Sequence, residues 1–400
     1  MEPKADAVSL GRSRWTGVRL ALGSVLATLA VLEAGMWIFH PLPDPYAALK
    51  GTPGSPRFTH SRYVPSAYPP HFAMDVRAEP GLPGIDGRPR RFSVNGLGYR
   101  GDPLAVPKPT GELRVFVVGG STTECLYLAD AEALTAVLQA RLRALAPGVD
   151  VRVYGAGKSG DRSFDHVAMV AHRIAHLQPD VIVVFAGIND VLAAIRRRDY
   201  LMRDDPGDAP PLGHLGGLKL LATELQLPRL VHRALTGYDP QTVTIVSDYR
   251  KNAAHLRALP LTRRAPRTDV VPYAENLRSL AGTARANGAR IVFMTQQTTW
   301  SSPDPRAAPW HWMGSDSVRY RETALDSAMS LYNAAMRRVA AEQGAPVLDL
   351  ARTVPKSMDY FYDDVHFNVR GAATTADLLA RFLIDRAVIP RTPAATSAAG

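Results

Sequence analysis

Residues 114–124 read Arg114-Val-Phe-Val-Val-Gly-Gly-Ser-Thr-Thr-Glu124, an apolar run that ends in two glycines and a hydroxyl. No polar residue interrupts the run from 115 to 118, which is typical of a strand buried on both faces of a parallel sheet. Gly119 and Gly120 permit a sharp turn because they carry no side chain. Ser121 then begins a predicted helix, where backbone N–H groups lack helical partners. From this stretch alone, Ser121 is either a helix cap or a nucleophile.

Strand and helix patterns alternate after this stretch and predict an α/β domain. Further strands are predicted at 149–154, 180–185, 290–295 and 346–350, and helices at 131–145, 163–177, 273–287, 321–343 and 371–387. Strands that alternate with amphipathic helices indicate a central parallel sheet covered by helices. Ligands of such sheets bind beyond the carboxyl ends of the strands, so motifs at those ends carry the most weight.

The N-terminal residues predict a membrane anchor. Residues 1–19 form a basic segment, and residues 20–39 form an apolar run about as long as a bilayer is thick, with Glu33 as its one charge. Basic residues before the run place the N-terminus in the cytoplasm and the rest of the chain outside, in the periplasm if the source is Gram-negative. We favour an uncleaved single-pass anchor over a cleaved signal peptide, because the run is long for a signal peptide.

The remaining boundaries follow from composition. Residues 40–112 are rich in proline and glycine and predict a linker with an edge strand within 91–101. The catalytic domain is predicted at 113–388. Residues 196–269 interrupt its strand–helix alternation and are too long for a plain loop, so we interpret them as an insertion that covers the sheet edge. Residues 389–400 predict a disordered tail.

Charge and cysteine content exclude several classes of function. The formal charge is +10, but the basic residues are dispersed and no aromatic-interleaved RNA motif accompanies them. We therefore expect no nucleic acid as a partner, and a basic surface suited to anionic glycans or lipid headgroups. Cys125 is the one cysteine, which excludes an intramolecular disulfide and a cysteine-based metal site. We expect Cys125 to be buried.

Polar residues follow three more predicted elements and can complete a catalytic site with Ser121. Asp363 precedes His366 by three residues, close enough for its carboxylate to accept the imidazole Nδ1–H. That bond fixes the tautomer and supports the imidazolium when the ring takes a proton. Serine needs such a base to become a nucleophile. The Asn189 side-chain amide and a glycine N–H could hold the developing oxyanion.

This pattern resembles the SGNH (GDSL-like) hydrolase family in four blocks, which are Gly119-Gly-Ser121, Lys158-Ser-Gly160, Gly187-Ile-Asn189 and Asp363-Asp-Val-His366. The resemblance implies that Ser121 is the nucleophile, His366 the base and Asp363 the residue that orients it. It also implies an oxyanion hole made of the Ser121 and Gly160 N–H groups and the Asn189 amide, in a flavodoxin-like three-layer sandwich. One departure is that Gly-Gly-Ser stands where the family has Gly-Asp-Ser.

Several motifs are compatible with dinucleotide or metal binding, but they support these functions less strongly than the four blocks support a serine hydrolase. Gly155-x-Gly157-x-x-Gly160 is a dinucleotide fingerprint, but no acidic residue stands at the tip of the next strand. His172 and His176 are four residues apart without an apparent third metal ligand, so we interpret them as surface or packing residues. Asp363, Asp364 and His366 could bind a metal, yet the triad uses two of them. We therefore expect neither a metal nor a cofactor.

Two expectations concern neighbours of the predicted triad. We expect Asp364 to be exposed, since the triad does not use it. Three tryptophans in one predicted loop either line a substrate groove or pack in the core; they are Trp300, Trp310 and Trp312.

These patterns together predict a membrane-anchored serine ester hydrolase or acyltransferase that acts outside the cytoplasm through an acyl-enzyme. An O-acylated carbohydrate or cell-envelope glycan is the expected substrate. A lipid esterase or lysophospholipase is the alternative enzyme. A non-catalytic protein that binds a glycan or an envelope partner in the same pocket is the alternative from another class.

Overall fold

The computed structural model describes residues 7–42, 64, 67–68, 70–196, 225–236, 244–245 and 248–391. The chain divides into two compact units, one of residues 1–51 with 210–242 and one of residues 52–209 with 243–400. Residues 197–224, most of the predicted insertion's first half, lie outside the described residues, as do residues 392–400 of the predicted tail.

Strands and helices follow one another along the described residues. The strands are β1 (Ala73–Arg77), β2 (Arg90–Ser93), β3 (Glu112–Gly119), β4 (Asp150–Gly157), β5 (Val181–Phe185), β6 (Thr244–Ile245), β7 (Arg290–Met294) and β8 (Val347–Leu348). The helices are α1 (Ala7–Phe39), α2 (Ser121–Glu124), α3 (Leu134–Leu145), α4 (Ser163–His172), α5 (Ile188–Ile195), α6 (Gln226–Thr236), α7 (Tyr249–Ala258), α8 (Val270–Ala286), α9 (Glu322–Glu342), α10 (Leu350–Thr353) and α11 (Val369–Asp385).

Five parallel strands form the central sheet of the larger unit, in the order β4-β3-β5-β7-β8. Numbered along the chain within this sheet, the order is 2-1-3-4-5, which is the doubly wound flavodoxin-like arrangement. The predicted α/β fold with a central parallel sheet is confirmed. The helix predicted at 163–177 ends at His172 and is followed by a separate 3₁₀ turn, Ile174–Leu177.

Helices cover both faces of the sheet, so β3 is buried on both sides. Val115 and Val117 belong to the core formed with α3 and α11, whereas Phe116 and Val118 belong to the core formed with α4, α5, α8 and α9. Successive side chains of a strand point to opposite faces, and both faces here are apolar. This explains why no polar residue interrupts the sequence from 115 to 118. The three-layer arrangement is the predicted one.

A second, three-stranded sheet has the order β2-β1-β6, with β2 antiparallel and β6 parallel to β1. The strand predicted within 91–101 therefore pairs with β1 rather than with the central sheet. Only Arg100 reaches that sheet, through a backbone bridge to Gly155 at its β4 edge. The proline and glycine content of this part of the chain did not predict β1, because its pairing partners lie outside the local sequence.

The folded part of the chain extends beyond residue 388, the predicted end of the catalytic domain. Ile389, which the sequence assigned to the tail, is fully buried, and its backbone N–H donates to the carbonyl of Leu383. An apolar residue just after a helix can fold back onto the helix that it ends, and Ile389 does so on α11.

The smaller unit contains α1 and α6. Within α1, residues Thr16–Phe39 are long and apolar enough to cross a membrane, and none of the tested window is buried. By length and composition, this helix is a candidate span or signal sequence, and among the described helices it alone meets that test.

Gly157 allows α2 to approach β4 closely, and we predict that alanine there destabilises the fold. The added Cβ would lie 2.3 Å from the backbone N of Glu124, a contact that no side-chain rotation relieves. We expect Gly157→Ala to lower the free energy of unfolding by about 1–3 kcal/mol. Gly282→Ala in α8, where the added Cβ meets nothing within 4 Å, is the matched control and should stabilise by about 0.5–1 kcal/mol. Equal denaturant midpoints for the two variants would contradict the close approach.

Candidate active site

The turn between β3 and α2 leaves no room for a side chain before Ser121. A Cβ on Gly120 would lie 2.6 Å from Nδ2 of Asn189, and one on Gly119 would lie 2.5 Å from the carbonyl oxygen of Phe185. In this chain, the amide of Asn189 therefore occupies the space that a residue larger than glycine would need.

Ser121, His366 and Asp363 form a continuous hydrogen-bonded row. Nε2 of His366 lies 2.7 Å from Oγ of Ser121, and its Nδ1 lies 2.7 Å from Oδ2 of Asp363. The other carboxylate oxygen accepts the backbone N–H groups of Val365 (3.0 Å) and His366 (2.8 Å). The Asp-x-x-His spacing is thus a tight turn closed by the aspartate itself. The structure brings together all three residues that the sequence predicted for this role.

Burial and charge shift the pKa values of Asp363 and His366 in opposite directions. Burial favours the neutral Asp363, but the imidazole of His366 and the hydrogen bonds that the carboxylate accepts lower its pKa below the usual value. Burial alone would lower the pKa of His366, yet the charge and hydrogen bond of Asp363 raise it above the usual value. The arrangement therefore favours a carboxylate that stabilises an imidazolium, as proton transfer from serine requires.

Trp312 supplies the remaining side-chain bond to the carboxylate, since its indole Nε1 donates to Oδ2 of Asp363 over 2.9 Å. This role was not predicted, because the sequence suggested only a groove or ordinary packing for the three tryptophans. Trp300 does not line a groove, as it is fully buried. Trp310 is also buried and lies under the guanidinium of Arg250, 4.8 Å from the ring centroid.

Asp364 is fully buried, so its expected exposure is wrong. Its Oδ1 accepts the indole N–H of Trp300 (2.7 Å), and its Oδ2 accepts the backbone N–H groups of Trp312 (2.8 Å) and Met313 (3.2 Å). Burial raises the pKa of Asp364 to about 6, with His311 opposing and Asp363 adding to the shift. The physical reason for its burial is that it anchors the tryptophan loop, which in turn donates to Asp363.

A second histidine–carboxylate pair supports the same loop. Oγ1 of Thr299 donates to the carbonyl of Asp363 (2.8 Å) and lies 2.9 Å from Nε2 of His311. Nδ1 of His311 lies 2.7 Å from Oε1 of Glu322. Burial lowers the pKa of His311, but the bond to Glu322 and the charge of Asp364 raise it overall. No sequence motif indicated this pair, because Glu322 stands at the start of a separate helix.

The predicted oxyanion-hole groups converge beside Ser121. Asn189 stands in the first turn of α5, and its amide donates one hydrogen bond to the carbonyl of Asp161 (2.8 Å), while its Nδ2 also lies next to Gly120. Gly160 has a φ of +86°, a conformation that favours glycine. Within the described residues, the backbone N–H groups of Ser121 and Gly160 have no hydrogen-bond acceptor. These groups can therefore receive an anionic oxygen.

Glu124 holds the loop that carries Gly160. Its Oε1 accepts the backbone N–H of Ser159 (3.2 Å) and the hydroxyl of Tyr68, and its Oε2 accepts the hydroxyl of Ser159. Arg100 holds the opposite side of Glu124 by donating to the carbonyls of Glu124 and Cys125. Both roles went unpredicted, since they join residues far apart in sequence.

Aromatic rings surround the side of His366 that faces away from Ser121. Tyr362 stacks on the imidazole at 5.3 Å with an interplanar angle of 9°. Tyr249, from α7 in the predicted insertion, contacts both Tyr362 (5.7 Å) and Trp312 (5.8 Å). The segment that interrupts the strand–helix alternation thus contributes a buried ring to the packing behind the site.

The competing motifs serve packing or lie at the surface. Cys125 is buried, as predicted, and burial raises the pKa of its thiol, which makes it a poor nucleophile. His172 and His176 are exposed. Across the part of the chain that the structure describes, no group of three or more His, Cys, Asp or Glu side chains could hold a metal ion.

Comparison with known proteins identifies the family. The model of the GDSL-like lipase/acylhydrolase family matches residues 117–374. The chain belongs to this family. Membership makes it an SGNH-type serine hydrolase, and the predicted family is confirmed. No curated protein matches the chain at a significant level.

Several solved structures are similar in fold to this GDSL-like hydrolase. Axe2, an acetylxylan esterase from Geobacillus stearothermophilus, is 16% identical over 70% of this chain and 96% of its own, with a TM-score of 0.38. The acetyl xylan esterase AlAXEase is 14% identical over 68% of this chain and 100% of its own, with a TM-score of 0.39. LAE5, an alpha/beta hydrolase enzyme from the metagenome of Lake Arreo, Spain, is 17% identical over 69% and 94%, with a TM-score of 0.38.

We predict that Trp312→Phe lowers kcat/KM about tenfold or more, because a hydrogen bond to a charged group is worth about 1.5–3 kcal/mol. Phenylalanine keeps the ring in the loop but cannot donate to Asp363. Trp310→Phe is the matched control, since Trp310 makes no described hydrogen bond to either buried carboxylate. Ester hydrolysis by the two purified variants is the measurement. An equal loss in both would mean that the loop acts through packing alone.

Proposed function

We propose that this GDSL-like hydrolase uses Ser121 as nucleophile, His366 as general base and Asp363 as the residue that orients the base. The observation that carries this proposal is the 2.7 Å distance between Oγ of Ser121 and Nε2 of His366, whose other nitrogen meets a buried carboxylate. A serine that only caps a helix would not need an imidazole at its hydroxyl.

The reaction then proceeds in two steps. Nε2 of His366 takes the hydroxyl proton while Oγ of Ser121 attacks the ester carbonyl carbon, and the carbonyl electrons move to its oxygen. The backbone N–H groups of Ser121 and Gly160 and the amide of Asn189 hold that oxyanion, each donor lowering the barrier by about 3 kcal/mol. The alkoxide leaves with the proton from His366, which gives an acyl-enzyme. Water or a sugar hydroxyl then gives its proton to His366 and takes the acyl group, and His366 returns that proton to Oγ of Ser121, which restores the enzyme.

We propose that the reaction takes place outside the cytoplasm on an O-acylated carbohydrate or envelope glycan. The candidate span at Thr16–Phe39 follows a basic N-terminus, which favours export of all that follows. The formal charge of +10 favours an anionic polymer as partner. A lipid esterase is the second candidate, favoured by the same proximity to a membrane. A reporter fused after residue 391 tests the topology, because alkaline phosphatase is active only outside the cytoplasm.

A fluorophosphonate probe tests the nucleophile directly. We expect wild type to be labelled and Ser121→Ala to lose both labelling and esterase turnover while keeping its thermal unfolding midpoint. Ser279→Ala, on an exposed face of α8, is the control and should be labelled like wild type. Labelling that persists in Ser121→Ala would contradict the assignment of Ser121 as the nucleophile. Absence of labelling and turnover in the wild type would favour the non-catalytic, binding protein.

Substrate preference separates the two enzyme candidates. We expect acetyl esters and acetylated oligosaccharides to be turned over faster than esters with acyl chains of eight carbons or more. Transfer to a sugar acceptor, followed by mass spectrometry of the products, distinguishes acyltransferase from hydrolase. Preference for long acyl chains or lysophospholipids would replace the glycan with a lipid as the substrate.

The pH profile tests the base. Because the pKa of His366 is raised above its usual value of 6.5, kcat/KM should fall on acidification with a midpoint above pH 6.5. Asp363→Asn removes the charge and one of the two carboxylate oxygens that raise this pKa, so the acid limb should move to lower pH and kcat should fall by about 10⁴. Glu342→Gln, a change at the surface of α9, should leave the limb in place. An unshifted limb in Asp363→Asn would show that another group titrates.

A further inference from the structure

Glu33 is the one charge in the apolar part of α1, and its partners are the first backbone groups of α6. Oε1 of Glu33 accepts the N–H of Gln226 over 2.5 Å, and Oε2 accepts the N–H of Leu227 over 2.8 Å. The first N–H groups of a helix have no partner within it. In a bilayer, water does not satisfy such groups, and each one left unpaired costs several kcal/mol. A carboxylate on an otherwise apolar helix supplies the missing acceptors.

Gln226 and Arg229 of α6 lie against the end of α1 and the residues that follow it. Gln226 is fully buried and accepts the backbone N–H of Leu42 at its Oε1 (2.6 Å). Arg229 is also buried, donates to the carbonyl of Leu42 (2.8 Å), and places its guanidinium 5.4 Å from the ring centroid of Trp37. Tryptophan and arginine are common where a membrane-spanning helix meets the interface.

Three apolar residues of α6 are exposed. Leu230, Val231 and Leu235 are 46%, 44% and 75% exposed, and their spacing places them on one side of the helix. A helix in water buries its apolar side and exposes its polar side, whereas α6 buries Gln226 and Arg229 and exposes these three apolar residues. At the adjoining end of α1, the apolar side chains of Ile38 and Phe39 are likewise 71% and 76% exposed. Both α6 and the candidate span on which it is docked therefore carry exposed apolar side chains.

The position of Glu33 along α1 agrees with an interfacial location. It lies six residues before Phe39, the last residue of α1, which is about 9 Å along a helix axis. Amphipathic helices that lie in a membrane interface bury their apolar side about 5–10 Å into the boundary between headgroups and acyl chains.

We propose that α6 is a second membrane-contacting element, which lies in the bilayer interface at the C-terminal end of α1 with Leu230, Val231 and Leu235 among the acyl chains. Glu33 docks the N-terminus of α6 onto the anchor. The occupant of the exposed apolar surface is lipid, since α6 is docked onto a helix that is apolar and long enough to cross a membrane. The proposal depends on insertion of α1 and is independent of the catalytic assignment.

Lipid quenching of an environment-sensitive fluorophore tests this placement in the full-length protein. Leu235→Cys is labelled with a nitrobenzoxadiazole maleimide in phosphatidylcholine–phosphatidylglycerol vesicles that carry doxyl-labelled lipid. Ile38→Cys on α1 is the positive control, and Leu331→Cys, 52% exposed on α9, is the control for water exposure. The wild type serves as the blank, because its one cysteine is buried. We expect at least twofold quenching at 235 and 38, and none at 331.

Three outcomes would overturn the proposal. An unquenched, water-like emission at 235 would place α6 outside the bilayer. A blue-shifted emission without lipid quenching would mean that a second copy of the chain or another protein covers α6. An unquenched label at 38 would remove the inserted anchor on which the proposal depends. Esterase activity of the labelled variants, which change no residue of the proposed site, keeps these outcomes separate from a failure of the catalytic assignment.

Substitution of Glu33 tests the docking contact. We expect Glu33→Ala to reduce the quenching at 235 to the level at 331 while leaving the quenching at 38 unchanged, because the anchor stays inserted and α6 loses its acceptors. Glu33→Gln keeps one carbonyl acceptor and should retain part of the quenching. Full quenching at 235 in Glu33→Ala would overturn the role of Glu33.

Discussion

Two consecutive carboxylates, Asp363 and Asp364, are fully buried, and much of the structure around Ser121 serves to satisfy them. A buried charge is tolerated only where hydrogen bonds and opposite charge replace its hydration. Indole N–H groups from Trp300 and Trp312 and backbone N–H groups of the same loop supply most of these bonds. The loop that follows β7 is therefore fixed in place by the turn that precedes α11.

The two neighbouring carboxylates titrate in opposite directions because their surroundings differ. Asp363 faces the imidazole of His366 across 2.7 Å, which outweighs burial and lowers its pKa. At Asp364, burial is the largest effect, and together with the charge of Asp363 it outweighs the opposing charge of His311 and raises the pKa to about 6. Although the two residues are adjacent in sequence, the charged form is therefore favoured at Asp363, beside His366, whereas Asp364 anchors the tryptophan loop.

Close backbone approach is the second constraint on the site. Gly119, Gly120 and Gly157 let the turn that carries Ser121 pack against β4, β5 and the amide of Asn189 at distances at which an added Cβ would force a shift. Ser121 therefore reaches the edge of the sheet where Gly160 and Asn189 also emerge. Gly157, one of the three glycines that match a dinucleotide fingerprint, allows α2 to pack closely. The spacing of these glycines alone therefore did not distinguish dinucleotide binding from packing.

Much of the fold was predictable from sequence because its determinants are local. The apolar run from 115 to 118 follows from a strand buried on both faces, and the Asp363–His366 spacing is a turn closed by its own carboxylate. The family and the α/β class that these patterns predicted were confirmed. Local patterns also predicted the burial of Cys125.

What the sequence by itself determined are the strand and helix periodicities, the glycine turn and the short spacings, since each depends on residues within a few positions of one another. The tertiary structure decided the burial of Asp364, the bond from Trp312 to Asp363, the support from His311 and the contact of Glu33 with α6. Gln226 lies 193 residues from Glu33, and Ser121 lies 245 residues from His366. Contacts at such separations depend on how all intervening elements pack, and no local pattern of side chains encodes them.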